Sequence, residues 1–325
     1  MTEPLLSIEG LKTYFFTDEG VVKAVDGVSM TIERGDTFGV VGESGCGKTT
    51  VALSILRLIQ KPGRIVGGRI LLKKEDLLKK SEKEMREIRG QKISLNFQDP
   101  TESLNPVLTI SSQIAEAIKL HRKKTPSLVE KEVIQILSRV GISSPEIRAK
   151  NYPHELSGGM KQRAMIAMAL SCQPELLIAD EPTTNLDVTI QAQIMDLLKT
   201  IKQEFSTTVM LITHNLGLIA EMCNRVAIMY AGKIVECADV HTIFKKPMHP
   251  YTQALLESIP RADLKRGELS CIPGRVPDLI NPPDCCRFQE RCKHAMTVCK
   301  KREPPLIEIK KDHVVSCFLY LPKGE

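Results

Sequence analysis

The sequence has 325 residues, of which 42% are hydrophobic and 26% charged, a balance typical of folded globular proteins. No apolar run approaches the roughly 18 residues of a membrane-spanning helix, and the first ten residues do not resemble a secretory signal, so we expect a cytosolic protein. The formal net charge of +6 is small, and the basic residues are interspersed with acidic ones, which argues against nucleic-acid binding.

The predicted elements alternate between strands and helices. Apolar runs separated by turns predict strands over 5–14, 24–32, 38–41, 176–179, 209–213 and 225–230. Helical spacing predicts helices over 50–58, 110–120 and 128–140, and the mixed charges of 73–92 predict an exposed helix with its flanks. This order predicts an α/β core that is interrupted by a helical segment of about residues 99–168.

The composition changes after about residue 245, where the sequence becomes rich in proline and cysteine. We therefore predict a domain of residues 1–245 and a small Cys-rich C-terminal extension of 246–325. Six of the ten cysteines lie in the last 55 residues. Because few apolar residues remain there to form a core, we expect the cysteines to hold the extension together.

The run from Gly42 to Thr49 reads GESGCGKT and fits the phosphate-loop pattern G-x-x-x-x-G-K-[ST]. It follows a predicted strand and precedes a predicted helix, so backbone N–H groups would face the phosphates of a nucleoside triphosphate. Lys48 would neutralise the terminal phosphates and the Thr49 hydroxyl would bind Mg²⁺. The predicted nucleotide-binding residues are Gly42, Ser44, Gly45, Cys46, Gly47, Lys48, Thr49 and Thr50.

A second motif is the apolar strand of residues 176–179, which ends in Asp180 and Glu181. Adjacent carboxylates at a strand end are costly unless a cation uses them. Asp180 is predicted to hold Mg²⁺ and Glu181 to polarise the attacking water. A surface turn is the alternative when the motif is considered alone.

The run LSGGMKQR, from Leu156 to Arg163, predicts a helix capped by Ser157, whose bare glycine turn would offer its N–H groups to an anion. With the other two motifs, it makes residues 5–245 resemble the nucleotide-binding subunits of ABC transporters. The resemblance implies a RecA-like P-loop NTPase core, an antiparallel β subdomain and an inserted α-helical subdomain. It also implies two subunits that share each ATP, with Ser157 and Gly159 on the γ-phosphate of the partner's nucleotide.

The same resemblance assigns roles to residues outside the three motifs. Gln98 would sense Mg²⁺ and water and signal to the membrane subunits, Asp187 would link the two sites, and His214 would hold the γ-phosphate. Phe15 falls nearest the aromatic residue that stacks on adenine, although Tyr14, Phe16 or simple core packing remain alternatives. Asn185 stands where relatives often have a small residue.

The tail resembles that of the oligopeptide and dipeptide importer branch in residues 247–260, 272–277 and 286–292. This implies an ATPase that powers peptide import at the cytoplasmic face of the membrane. Its partners would be a second, different ATPase subunit, two permease subunits and an extracytoplasmic peptide-binding protein, with no nucleic acid. Nickel importers share the tail, so nickel or another small solute is an alternative cargo. A non-transport ABC ATPase with a zinc-ribbon tail that binds nucleic acid is a further alternative.

Four cysteines of the tail, Cys286, Cys292, Cys299 and Cys317, lack the short C-x₂₋₄-C spacing of structural zinc sites. Spacing alone leaves a cluster, zinc or free thiols open. The resemblance implies that these four bind a [4Fe–4S] cluster with a structural role. Cys285 is the predicted bystander, although it could replace Cys286, and Cys271 is predicted to be a packed thiol.

Overall fold

The computed structural model describes residues 3–122, 124–184, 186–259 and 272–321. The strands are β1 (Leu6–Thr17), β2 (Gly20–Ile32), β3 (Thr37–Val41), β4 (Gly63–Leu72), β5 (Glu75–Asp76), β6 (Ile93–Asn96), β7 (Leu176–Asp180), β8 (Thr208–Thr213), β9 (Arg225–Tyr230), β10 (Lys233–Asp239), β11 (Ile307–Lys310) and β12 (His313–Val315). The helices are α1 (Lys48–Ile55), α2 (Glu82–Ile88), α3 (Pro100–Ser103), α4 (Ile110–His121), α5 (Pro126–Arg139), α6 (Pro145–Arg148), α7 (Gly158–Leu170), α8 (Val188–Phe205), α9 (Leu216–Met222), α10 (Val240–Lys245) and α11 (Pro250–Glu257). In these ranges, no helix is both long and apolar enough to cross a membrane.

The chain forms two compact units, the first made of Met1–Leu78 with Ile212–Glu325 and the second of Lys79–Leu211. The first unit contains an antiparallel sheet of order β2-β1-β4-β5 and the strand order β11-β12-β10-β9-β3 of a larger sheet. Strands β3 and β9 run parallel, and all five residues of β3 are buried. A strand covered on both faces reads as a continuous apolar run, which is why residues 38–41 were recognisable from sequence.

The C-terminal region joins the first unit instead of forming an appended module of its own. Strand β12 pairs antiparallel with β10, where Val315 lies opposite Glu236. Tyr251, Phe288 and Phe318 are buried. The rings of Tyr251 and Phe288 pack against each other although 37 positions separate them, so the tail contributes to a core without showing a short sequence period.

In the second unit, β6 and β7 run parallel, and the strand order is β8-β7-β6. The last two residues of β8 lie beyond the boundary of this unit. Between β6 and β7 the chain forms helices α3 to α7, as the sequence predicted for this stretch. Helices α4 and α5 bury one apolar side each, with Ile110, Ile114 and Ile118 on α4. The exposed helix predicted over 73–92 is shorter, since only Glu82–Ile88 is α-helical, capped by Ser81.

Candidate active site

The phosphate loop connects β3 to α1 in a conformation that requires glycine at two positions. Gly47 has a φ of +103°, and a Cβ there would lie 2.2 Å from the Ala24 carbonyl oxygen. A Cβ on Gly42 would lie 2.1 Å from the Met229 carbonyl oxygen. Any side chain at these positions would therefore push the loop away from the strands that support it.

Lys48 is buried, and its side chain folds back onto the loop. Its Nζ donates hydrogen bonds to the carbonyl oxygens of Gly42, at 2.8 Å, and Glu43, at 3.1 Å. Ser44, Gly45 and Thr49 are exposed, and Thr50 is half-buried. The loop thus presents an exposed rim at the N-terminus of α1, with a buried cation behind it, an arrangement suited to an anion.

Cys46, in the same loop, is also buried. Burial raises the pKa of its thiol, and the nearby Lys48 ammonium lowers it by a smaller amount. The backbone carbonyl of Cys46 accepts a hydrogen bond of 2.9 Å from the N–H of Gly232. The Cys46 side chain therefore packs as a neutral thiol, while its backbone carbonyl anchors the loop to the turn after β9.

In the second unit, the parallel pairing of β6 and β7 places their C-terminal ends side by side, with Asn96 opposite Ala179. Gln98 follows β6, and its Nε2 donates to Glu181 Oε2 at 3.1 Å. Thr184 Oγ1 donates to the same oxygen at 2.9 Å. Asp180, the last residue of β7, is buried. The structure therefore brings Gln98 to the end of β7, where Asp180 and Glu181 lie. It also adds Thr184 to this group, a residue that the sequence marked only by its position three residues after Glu181.

The signature segment begins α7 as predicted, with Ser157 as the N-cap that accepts a hydrogen bond of 3.4 Å from the N–H of Met160. A Cβ on Gly159 would lie 3.0 Å from Ile190 of helix α8. Asp187 caps α8 by accepting a hydrogen bond of 2.9 Å from the N–H of Ile190. Ser157, Gly159 and Asp187 thus lie at neighbouring helix starts, while Asn185 lies outside the described residues.

Four further residues named in the sequence analysis belong to the first unit. His214 is exposed directly after the last residue of β8. Tyr14 donates from its hydroxyl to Asp26 Oδ1 at 2.6 Å, and Phe16 lies beneath the guanidinium of Arg64, 4.0 Å from the ring centroid. Phe15, half-buried, pairs with Val22 and Gly63. Since Tyr14 and Phe16 each have a polar or charged partner within the protein, Phe15 stays the predicted adenine-stacking residue.

The tail cysteines are close enough for the charges of Cys286, Cys292, Cys299 and Cys317 to affect one another. Burial raises the pKa of Cys286 to about 12 and that of Cys317 to about 11. Burial raises the pKa of Cys285 as well. The backbone N–H of Cys286 donates to the Cys299 carbonyl oxygen at 3.0 Å, so Cys286 lies beside Cys299.

Metal binding by these cysteines is not supported by the arrangement of the side chains. In the part of the chain that the structure describes, no group of three or more His, Cys, Asp or Glu residues is arranged to hold a metal ion. Cys292 and Cys299 instead accept hydrogen bonds of 3.4 Å from the backbone N–H groups of His294 and Met296. Cys271 lies outside the described residues.

Residues 25–184 match the ABC transporter family, and residues 235–299 match the family described as oligopeptide/dipeptide transporter, C-terminal region. The chain is 51% identical to a probable peptide ABC transporter ATP-binding protein, y4tR, of Sinorhizobium fredii, over 97% of this chain and 94% of that protein. It is 49% identical to the dipeptide transport ATP-binding protein DppD of Bacillus subtilis, over 99% and 97%.

Among solved structures, the dimeric bacterial ABC transporter cassette MJ0796 resembles this chain with a TM-score of 0.65 and 26% identity, covering 72% of this chain and 98% of that one. The protein cbiO1 of Clostridium perfringens, part of the ABC transporter complex cbiONQ, gives a TM-score of 0.65 and 27% identity, covering 75% of this chain and 92% of that one. These matches confirm the predicted α/β cassette fold. The chain is an ATPase and belongs to the family of ABC transporter ATP-binding proteins that carry the oligopeptide/dipeptide transporter C-terminal region.

Proposed function

We propose that the protein is the ATP-hydrolysing subunit of an importer of di- and oligopeptides, acting at the cytoplasmic face of a membrane. The observation that carries this proposal is that the phosphate loop and the peptide-importer C-terminal region fold together in one unit. Relatives similar over nearly the whole chain are named as peptide and dipeptide transport ATP-binding proteins. In the proposed division, residues 1–245 form the ATPase cassette, and residues 246–325 the importer-type extension.

We assign the nucleotide chemistry to the predicted residues. Lys48 and the N–H groups of residues 42–50 bind the phosphates, and Phe15 stacks on adenine. Thr49, Gln98 and Asp180 are assigned as the residues that would hold Mg²⁺, which would draw electron density from the phosphates. Glu181 accepts the proton of the attacking water, and His214 holds the γ-phosphate. Ser157, Gly159 and Asp187 complete the site of a partner ATPase chain, which we propose to be a different protein.

The permease subunits are proposed to dock on the segment of the chain that follows β6, which exposes Phe97, next to Gln98 in the sequence, and further along the chain Val107 and Leu108. Phe97 is 42% exposed and Val107 is 75% exposed, and Leu108 lies beside Val107. An exposed apolar group beside a catalytic residue is suited to a partner that senses the nucleotide state. Replacing Val107 with Asp should weaken assembly with the permeases, measured by co-purification, and leave ATP binding unchanged. Unaltered co-purification would remove Val107 from the docking surface.

The [4Fe–4S] cluster remains a proposal that rests on the chemistry of the donor set. Four thiols that influence one another supply the ligands such a cluster takes, and the backbone N–H groups at Cys292 and Cys299 would stabilise their thiolates. When bound, the cluster would cross-link the tail. Anaerobically purified protein should absorb near about 400 nm and contain iron and sulfide together. A colourless preparation with stoichiometric zinc would contradict the cluster.

The cargo is tested in cells that lack this chain. Uptake of labelled di- and oligopeptides should fall and return with the wild-type chain, but not with Lys48→Ala, which removes the cation behind the phosphate loop. Labelled nickel should enter equally in all strains. Loss of nickel uptake with normal peptide uptake would establish the alternative cargo instead.

A further inference from the structure

Glu43, the second residue of the phosphate loop, is held by two residues from the C-terminal region. Its carboxylate accepts a hydrogen bond of 2.9 Å from Arg291 Nη1, and its backbone N–H donates to the Tyr251 hydroxyl at 3.1 Å. Tyr251 is fully buried, and the Arg291 side chain is only 6% exposed. The two contacts span 248 and 208 residues of sequence, and neither follows from the ATPase motifs.

The Arg291 side chain is also held by contacts other than the one with Glu43. Its Nε donates to the Pro273 carbonyl oxygen at 2.9 Å, and its Nη1 also lies 3.2 Å from the Tyr230 hydroxyl. The rings of Tyr230 and Tyr251 are 4.6 Å apart, and Phe288 packs edge-on against both. A guanidinium held in this way loses little conformational entropy when it pairs with a carboxylate, so the ion pair is stronger than a surface pair.

The ion pair has two consequences for the loop. The carboxylate of Glu43 stands next to Ser44 and would repel phosphate groups at the exposed rim, and Arg291 neutralises that charge. The carbonyl of Glu43 is one of the two backbone acceptors of Lys48 Nζ, so fixing Glu43 also fixes an anchor of the phosphate-binding lysine. The loop is therefore preorganised from the C-terminal region.

We propose that Arg291 is a positioning residue of the nucleotide site, which neutralises and fixes Glu43 so that the C-terminal region sets the affinity for ATP. The proposal rests on the nucleotide site assigned above. Because the effect is on binding and not on the water-activating residues, it changes the Kd and KM for ATP and leaves kcat nearly constant.

The test measures the Kd of Mg-ATP and the kinetics of hydrolysis for the wild-type chain, four variants at positions 43 and 291, and two control variants. Arg291→Gln leaves the Glu43 charge unpaired and should raise the Kd roughly tenfold, which corresponds to about 1.4 kcal/mol. Glu43→Gln removes the repelling charge itself and should change the Kd by less than about threefold, since Tyr251 still holds the backbone. The double variant should return to the Kd of Glu43→Gln, and Arg291→Lys, which keeps the charge but loses the contacts of the guanidinium, should fall between wild type and Arg291→Gln.

Recovery of ATP affinity in the double variant separates charge neutralisation from a general loss of structure, which a second substitution would not repair. Tyr320→Phe is the matched control, because it removes one hydrogen bond of 2.7 Å, to the Met248 carbonyl, from the same region without contacting the loop. A Kd within twofold of wild type for Arg291→Gln would overturn the proposal, as would an equal increase in Tyr320→Phe. If Lys48→Ala also binds ATP normally, the nucleotide site itself is misplaced.

Discussion

Gln98 and Glu181 are joined by a hydrogen bond of 3.1 Å from the amide Nε2 to the carboxylate Oε2. The two residues are 83 positions apart, and they meet because the parallel strands β6 and β7 end at the same edge. Thr184 donates to the same oxygen, so the carboxylate proposed to activate water is oriented by two neutral donors. Both hydrogen bonds orient the carboxylate that is proposed to accept the proton of the attacking water.

The first prediction concerns Glu181→Gln, which keeps the shape of the side chain and an oxygen for the Gln98 and Thr184 hydrogen bonds. ATP binding should persist, while hydrolysis should fall by a factor on the order of 10² or more because the general base is lost. Single-turnover hydrolysis and equilibrium ATP binding, measured side by side, check this. Near-normal hydrolysis would remove Glu181 from the mechanism.

The second prediction concerns assembly. If Ser157 and Gly159 complete a partner's site, the isolated chain should bind Mg-ATP yet hydrolyse it slowly, with specific activity rising steeply with protein concentration. Adding the partner ATPase should raise the activity further. A high activity per molecule that does not change on dilution would show that one chain suffices.

The third prediction compares two glycines of the phosphate loop. Gly47→Ala places a Cβ 2.2 Å from the Ala24 carbonyl oxygen, whereas Gly45, at a φ of +77°, has open space around the same position. Gly45→Ala should lower the free energy of unfolding by about 1 kcal/mol, from backbone strain alone. Gly47→Ala should lower it by roughly 3 kcal/mol, because strain and overlap add. Urea unfolding curves of both variants test the difference, and equal losses would contradict the described loop conformation.

The fourth prediction concerns His249, a buried residue whose Nδ1 accepts a hydrogen bond of 3.0 Å from the N–H of Tyr251. Burial lowers its pKa from 6.5 to about 3, so the folded protein keeps the ring neutral. The unfolded chain binds a proton below about pH 6.5, and the folded chain does not until about pH 3. Stability from this group is therefore complete above pH 6.5 and declines as the pH falls through that value.

Between pH 7 and pH 5, the wild-type chain should lose about 2 kcal/mol of unfolding free energy through His249. His249→Gln, which retains a hydrogen-bond acceptor, should be less stable at pH 7 but show a correspondingly smaller loss down to pH 5. Urea midpoints across this range measure both slopes. Parallel slopes for the two proteins would show that His249 is not held neutral.

Local patterns in the sequence determined the core of the cassette. The phosphate loop lies between a buried strand and a helix, and the strand before Asp180 is a continuous apolar run. Such features depend on residues close together in the chain, so the motif and its secondary structure follow from the sequence directly. The N-cap role of Ser157 was predictable for the same reason.

The tertiary structure alone decided how the C-terminal region relates to the first unit. Nothing in the sequence indicated that β12 would pair with β10, with Val315 opposite Glu236. Arg291 and Glu43 are 248 positions apart, and no repeating pattern in the sequence connects them. A contact of that kind depends on the packing of Tyr230, Tyr251 and Phe288, which forms only once the whole unit has folded.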